Sequence, residues 1–385
     1  MNNFEFFNPT RIVFGEGEIS RLSSLVPEKA RVLVLFGGES ARKFGTLDEV
    51  KAALGDRHVS FFGGVEANPK YETLLNAIAQ VKDENIDFLI AVGGGSVIDG
   101  TKFVAAASRY PSEPMQMLKK AGSDLKEAIP FGAVLTLSAT GSEMNKISVI
   151  TYAAAKAKMA FFSETVFPQF SILDPVKTFT LPPRQIGNGI VDAFIHVTEQ
   201  YLTYPVNAKI QDRFAEGILQ TLVEEGPKTV EQPDNYEVRS NLMWAASQAL
   251  NGLIGVGVPH DWATHMIGHE LTALYGLDHA QTLAVVLPSL LEEKQQQKQS
   301  KLAQFAERVW GVQQGSEAEK AAQAISLTRE FFESVGVKTR LSDYQLDETC
   351  IDPLIKHLSD HGMTRLGEHR DIDLDACRRI LQRSL

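Results

Sequence analysis

DFLIAVGGGSVIDGTK, residues Asp87–Lys102, sets the architecture of the first half of the chain. Asp87–Val92 is a β-rich apolar run that passes directly into Gly93-Gly94-Gly95-Ser96, and Val97–Lys102 then opens a helical stretch. Strand, glycines and helix in that order bring bare backbone N–H groups and a helix N-terminus to one place, which suits a nucleotide pyrophosphate. The spacing departs from GxGxxG, because position 98 is Ile. It departs from a P-loop as well: Gly95 and Gly100 have the right separation, but Thr101-Lys102 follows where Lys-Ser/Thr is required. Taken alone, the stretch also reads as a tight strand-to-helix turn.

Working outward, Arg31–Phe36 (RVLVLF), His58–Phe62 (HVSFF), Phe131–Leu137 (FGAVLTL) and Ile147–Tyr152 (ISVITY) read as further strands. Tyr71–Lys82 and Gly100–Ser108 read as helices between them. Continuous apolar runs point to strands buried on both faces of a parallel sheet, and alternation with helices gives an α/β layered domain. After Leu181-Pro182-Pro183 the period changes. Ile210–Glu225, Val238–Leu250, Leu302–Val309 and Ala321–Val335 carry apolar residues at helical spacing, and strand runs disappear. The expectation is an α/β dinucleotide-binding, Rossmann-like domain over 1–181 and an all-α domain over 182–385, with a cleft between them.

Two other turns follow predicted strands. Thr136–Glu143 (TLSATGSE) offers hydroxyls and a glycine to a ribose or nicotinamide. Gly37-Gly38-Glu39-Ser40 ends the first buried strand, where dinucleotide folds meet the adenosine ribose. There Glu39 would accept from a 2′-hydroxyl and repel a 2′-phosphate. Each also reads as an ordinary capped or solvated turn.

The second half holds a different chemistry. Asp192 and His196 stand at i and i+4, on one face of a helix and one turn apart. Four of the nine histidines fall within His260–His279, as His260, His265, His269 and His279, among apolar and small residues. Clustered buried imidazoles repel if protonated, so a shared cation is an economical account. Imidazoles with a carboxylate suit Zn²⁺ or Fe²⁺ better than Ca²⁺ or Mg²⁺, which prefer oxygen shells. Spacing leaves open which histidine of the cluster stays outside the ligand set.

Composition bounds the rest. A chain of 385 residues, 44% hydrophobic, can fill two domain cores. A net charge of −10 argues against a broad phosphate-backbone face, so no nucleic-acid partner is expected. No apolar run approaches the roughly 20 residues needed to span a bilayer, and the N-terminus has no basic-then-apolar leader. Two cysteines, Cys350 and Cys377, suggest a reducing compartment, hence a cytoplasmic protein. Glu293–Lys301, rich in Lys and Gln, reads as a solvated helix face.

Together, Gly93–Asp99, Thr140-Gly141-Ser142-Glu143, Asp192–His196, His265–His269 and Gly276-Leu277-Asp278-His279-Ala280 resemble the iron-containing (group III) alcohol dehydrogenase family over essentially the whole chain. Leu181–Gln185 and Trp262–His265 resemble its broad-range, NADPH-dependent aldehyde reductase and butanol dehydrogenase branch. The resemblance implies the two-domain fold shared with dehydroquinate synthase. It implies hydride transfer between a nicotinamide cofactor and an aldehyde or primary alcohol, of the butanal/butanol kind. One divalent metal, Fe²⁺ or Zn²⁺, would be held by Asp192, His196, His265 and His279. Gly94, Gly95 and Ser96 would meet the pyrophosphate, with Asp99 near the nicotinamide end. Thr136, Thr140 and Asn145 would line the rest of the nucleotide cleft, and Lys158 would neutralise a 2′-phosphate. The resemblance assigns His269 to proton relay and suggests a homodimer.

The branch carries a small residue where this chain has Glu39. A carboxylate beside a 2′-phosphate costs about 1–3 kcal/mol, so Glu39 favours NAD(H) while Lys158 favours NADP(H). The whole-chain resemblance favours NADP(H). Rival readings keep the fold with another chemistry, a metal-dependent synthase or glycerol dehydrogenase, or make the chain a non-catalytic nucleotide-binding protein. An Asp/His₃ set, lacking cysteine, argues against the synthase and against a closed structural site.

Overall fold

The structure is a computed structural model describing residues 1–385. Its strands are β1 (Arg11–Phe14), β2 (Arg31–Phe36), β3 (His58–Phe62), β4 (Phe88–Gly93), β5 (Phe131–Leu135), β6 (Ile147–Tyr152), β7 (Ala157–Phe162) and β8 (Phe170–Leu173). Interleaved with them are α1 (Leu22–Leu25), α2 (Ser40–Lys43), α3 (Thr46–Leu54), α4 (Tyr71–Asp83), α5 (Gly95–Ala107) and α6 (Pro114–Lys119). Six strands form one parallel sheet in the order β1-β8-β5-β4-β2-β3.

The apolar runs explain the layering, because alternate residues of a strand face opposite sides of its sheet. Leu33, Leu35, Leu89, Ala91, Ala133 and Leu135 enter one core, packed with α4 and α5 residues. Val32, Val34, Phe88, Ile90, Val92 and Val134 enter the other, packed with α3 residues. A strand feeding two cores has no solvent face, so its sequence does not alternate.

Winding reverses inside this sheet. β2 leads outward to β3 at the edge, whereas β4 leads the other way to β5. The paired ends of β2 and β4, at Phe36 and Val92, therefore mark a topological switch point, where doubly wound sheets bind ligands beyond the strands' carboxyl ends. Gly37–Ser40 and Gly93–Ser96 both leave from there.

Ile147–Tyr152 is a strand but does not join the parallel sheet, which corrects the expectation for that run. It pairs antiparallel with β7 as a separate hairpin. Its anchors lie on α5: Ser148 Oγ donates to the Asp99 carbonyl at 2.8 Å, and Val149 N–H donates to Asp99 Oδ2 at 2.9 Å. β1, β7 and β8 had no counterpart among the predicted strands; β1 and β8 have only four residues each.

The second half is helical throughout: α7 (Pro183–Tyr201), α8 (Lys209–Glu231), α9 (Tyr236–Ala249), α10 (Ala263–Tyr275), α11 (His279–Glu293), α12 (Gln295–Arg308), α13 (Glu317–Ser334), α14 (Ile351–Asp360) and α15 (Leu374–Arg383). Extended Pro182 leads into Pro183 at the first helical position, where its missing N–H costs nothing. From Ile186 nearly every residue of α7 is buried, so α7 is the central rod of this unit.

Two compact units result, Phe7–Leu181 with Asp234–Met243, and Met1–Phe6 with Pro182–Pro233 and Trp244–Leu385. Two short segments thus depart from the expected 1–181 and 182–385. Arg239 is buried and donates to the Thr178 carbonyl at 2.9 Å, and Met243 lies in the α/β core. At the N-terminus, Asn2 N–H donates to the Gly257 carbonyl at 2.9 Å.

The Lys/Gln stretch is not a solvated face. On α12, Lys298 is buried between Asp261, at 2.8 Å, and Glu368, at 2.6 Å. Lys301 is buried against Asp212 at 2.6 Å. Long charged side chains turn inward where buried carboxylates meet them. No helix is long and apolar enough to cross a membrane.

Candidate metal centre and nucleotide site

α7 delivers Asp192 and His196 on one buried face, one turn apart. α10 delivers His265 and, one turn on, His269. Gly276 ends α10 in the left-handed conformation (φ 72°) that a Cβ disfavours, and Asp278 then caps α11 through a box with Gln281. His279 is the first residue of α11, and Asn188 Nδ2 donates to Asp278 Oδ2 at 2.8 Å, tying that cap to α7.

These elements converge. One ligand atom each of Asp192, His265 and His279 lies within 4.8 Å of the others. Asp192 Oδ1 lies 3.7 Å from His196 Nε2 and 3.6 Å from His279 Nε2. The rings of His196 and His265 stack at 4.8 Å, and those of His265 and His279 are 5.2 Å apart. His269 stands beside the group, 6.1 Å from His265 and 5.3 Å from His279 by ring centres. His260 is turned to other partners, with Nε2 2.7 Å from the Gly255 carbonyl and Nδ1 accepting from Trp262 Nε1 at 3.2 Å.

The residues present fit a divalent cation. Asp192 Oδ1 is buried and accepts no hydrogen bond, although such an atom ordinarily has a partner. A carboxylate with imidazole nitrogens is a Zn²⁺ or Fe²⁺ donor set.

One residue of the site escaped sequence reasoning. Glu199 follows Asp192 by seven positions and His196 by three, on the same face of α7, and that periodicity could have found it. It is buried, its Oε2 contacts His265 Nδ1, and its Oε1 accepts from Thr264 N–H at 2.7 Å. Burial, with the Asp261 charge adding to it, pushes its carboxyl up to about 8. Such a partner orients an imidazole toward a metal through the other nitrogen.

In the α/β unit, Gly93–Ser96 forms the turn from β4 into α5, with Gly94 at the N-cap and α5 starting at Gly95. A Cβ on Gly95 would run into the Thr140 side chain, so the 136–143 loop packs against bare backbone there. That loop is braced from below by Lys102, which is fully buried. Its Nζ donates to Ser142 Oγ at 2.8 Å, Asn145 Oδ1 at 2.9 Å and the Ile147 carbonyl at 2.7 Å. Burial lowers Lys102 to about 8.

Asp99 accepts from Ser142 Oγ at 2.5 Å and from Val149 N–H at 2.9 Å, so its two oxygens hold the loop and the hairpin. Burial raises its carboxyl, with the Lys102 and Lys158 charges opposing. Thr136 N–H donates to the Gly93 carbonyl at 3.0 Å, joining the β4 and β5 turns. Gly37 and Gly38 follow β2, and Glu39 precedes Ser40 at the start of α2. Its side chain is 83% exposed and lies 3.7 Å from Arg42. Lys158 stands on β7 opposite Thr151.

Phe194 belongs to the core, its ring packed among Phe305, Trp310, Phe331 and Phe332. Ile254 and Leu271 are buried likewise.

Comparison with known proteins agrees with this geometry. Residues 9–175 match the model of the iron-containing alcohol dehydrogenases, and 187–385 that of the C-terminal region of the same family. The chain is 58% identical over 384 residues, 99% of each chain, to the NADPH-dependent aldehyde reductase YqhD of Escherichia coli. The crystal structure of that protein superposes with a TM-score of 0.98, covering 100% of this chain and 99% of the other at 57% identity. An NADH-dependent butanol dehydrogenase A from Thermotoga maritima superposes at 0.94, covering 100% of this chain and 99% of the other at 33% identity. Sequence motifs, the Asp/His cluster and full-length similarity all point one way: the chain belongs to the iron-containing alcohol dehydrogenase family.

Proposed function

We propose that the protein reduces short- to medium-chain aldehydes to primary alcohols with NADPH. The observation that carries this reading is the convergence of buried Asp192 and His265 with half-buried His279, and His196 beside them, on one point of the helical unit. These four side chains would hold a divalent cation. When bound, that cation supplies Lewis acidity toward a carbonyl oxygen, and the reduced nicotinamide supplies the reducing equivalents.

The chain's own residues prepare the rest. Glu199 fixes the His265 ring, so that ligation runs through Nε2. His269, one turn beyond His265, is the group we assign to proton delivery. Gly94, Gly95 and Ser96 offer backbone N–H groups at the α5 N-terminus to the pyrophosphate. Gly37, Gly38, Glu39 and Ser40 flank the switch point at the adenosine end, while Thr136, Thr140 and Asn145 line the adjoining loop. Asp99 we regard as the residue that positions this loop, because Ser142 and Val149 engage both its oxygens.

NADPH is favoured by 58% identity to a reductase named for it. Arg42, beside Glu39, supplies a cation near the expected 2′-phosphate in addition to Lys158. Glu39 itself supports NADH as the second reading. We further propose a cytoplasmic homodimer, its two buried free cysteines suiting a reducing compartment.

The test follows NADPH and NADH absorbance with butanal on chelator-stripped protein, before and after adding Fe²⁺ or Zn²⁺. Metal-restored oxidation, faster with NADPH, is expected. No oxidation with either cofactor and any metal would overturn the reading.

A further inference from the structure

A second group of metal-binding side chains lies in the helical unit and shares no residue with the first. Glu270 sits on α10, buried, with its side chain 5% exposed. Against it packs α14, whose His357 is followed four residues later by His361 at the helix end. The i, i+4 spacing puts both rings on one face, with centres 4.3 Å apart.

The three side chains meet through definite atoms. His361 Nδ1 lies 3.1 Å from Glu270 Oε1, and His357 Nδ1 contacts Glu270 Oε2. One donor atom from each lies within 4.8 Å of the other two. Two imidazole nitrogens and a carboxylate oxygen make the His₂Glu set that Zn²⁺ accepts, with a position left for water. The histidine side chains are 17% and 25% exposed, so solvent reaches the group from their side.

We propose that Glu270, His357 and His361 form a second divalent-cation site, selective for Zn²⁺ or a similar borderline ion over Mg²⁺ or Ca²⁺. Without a cation, each ring must carry its proton on Nδ1 to bond the same carboxylate. A carboxylate in so poorly solvated a place gains from a further positive partner. A divalent cation replaces both bridging protons, which move to Nε2, and offsets the charge.

The site's place in the fold gives it a purpose. Glu270 is separated from the two histidines by 87 and 91 positions, so a cation here clips together distant parts of the chain, where closure constrains the unfolded state most. It also anchors α10 next to His269. The role is structural, distinct from turnover at the Asp192 cluster.

The experiment counts metal in the full-length protein. Chelator-stripped enzyme is equilibrated with Zn²⁺, desalted and analysed for zinc per chain, alongside His361→Gln, His265→Ala and the doubly substituted protein. About two equivalents are expected for the unmodified chain, about one for each single variant and close to none for the double variant. His361→Gln loaded at the Asp192 cluster should keep turnover within about twofold. Should H361Q misfold by circular dichroism, Co²⁺ titration of the H265A protein replaces it, a visible d–d band being the expected result. A single equivalent in the unmodified chain, two retained by folded H361Q, or no band in H265A would overturn the proposal.

Discussion

Glu199 and Glu39 are the residues at which single side chains decide most. Glu199 carries no ligand atom of the Asp192 cluster, yet it holds the His265 ring by Nδ1. Exchanging it for Gln keeps the shape and removes the carboxyl that orients the imidazole. Glu199→Gln is expected to weaken Zn²⁺ binding about 10–100-fold, measured by competition with a chelating dye, with the fold retained by circular dichroism. Glu39 is exposed, so its repulsion of a 2′-phosphate is screened. Glu39→Ser should therefore raise the NADPH/NADH ratio of kcat/KM by about 5–150-fold, the span of about 1–3 kcal/mol, toward the low end. An unchanged ratio would show that Glu39 does not meet the adenosine ribose. Spacing and residue type in the sequence marked Asp192, His196 and the His260–His279 cluster as candidate metal ligands, and the resemblance narrowed them to Asp192, His196, His265 and His279; the structure brings Asp192, His265 and His279 together, with His196 beside them. Glu199 was harder, since an acid on a helix is ordinary until its neighbours across the fold are known.

Elements add constraints that no single residue shows. The β4–α5 turn works because Gly95 lets the Thr140 side chain close on bare backbone. Gly95→Ala should push the 136–143 loop away and raise KM for NADPH tenfold or more, leaving zinc content unchanged. On α12, Lys298 holds Asp261 and Glu368 together out of water. Lys298→Met removes the only cation of this triad and leaves two buried carboxylates facing each other, so a loss of about 3–5 kcal/mol is expected by chemical denaturation. The same triad makes stability depend on pH. Burial and the nearby Asp261 charge push Glu368 up to about 7, against the pull of Lys298. A carboxyl raised in the folded state binds its proton more tightly there than in the unfolded chain. Its contribution is complete below the ordinary glutamate range and is lost as pH rises through about 7. Asp261 is pushed up by burial but held lower still by Lys298, and Lys298 is itself raised, so both titrate outside this window. The thermal midpoint of metal-free protein should fall between about pH 5 and pH 8, with a smaller fall in Glu368→Gln. Helix positions were readable from apolar period, whereas the inward turn of Lys298 and Lys301 was not, because a lysine's burial is set by the carboxylates that other helices bring to it.

At the scale of the whole molecule, the glycine turns after β2 and β4 lie in one unit and the Asp192 cluster in the other. Zinc binding should therefore stabilise the helical unit by mass action, by about 2.7 kcal/mol at a hundredfold excess over Kd. For a unit of that size this corresponds to about 5–10 °C in the midpoint of its thermal transition, measured by calorimetry before and after chelation. The sequence by itself determined the α/β and helical halves, the glycine turn after β4 and the residue types that gather in the Asp192 cluster. All of these follow from local period, turn chemistry and residue type. Tertiary structure alone decided that Ile147–Tyr152 leaves the parallel sheet for a hairpin, because the Asp99 carboxylate and carbonyl claim its backbone and Ser148. It alone sent Asp234–Met243 to the α/β unit, where Arg239 finds a buried carbonyl. It alone joined Glu270 to His357 and His361 across 87 and 91 positions. Partners so far apart leave no periodic trace in the chain, since packing, and not spacing, brings them together.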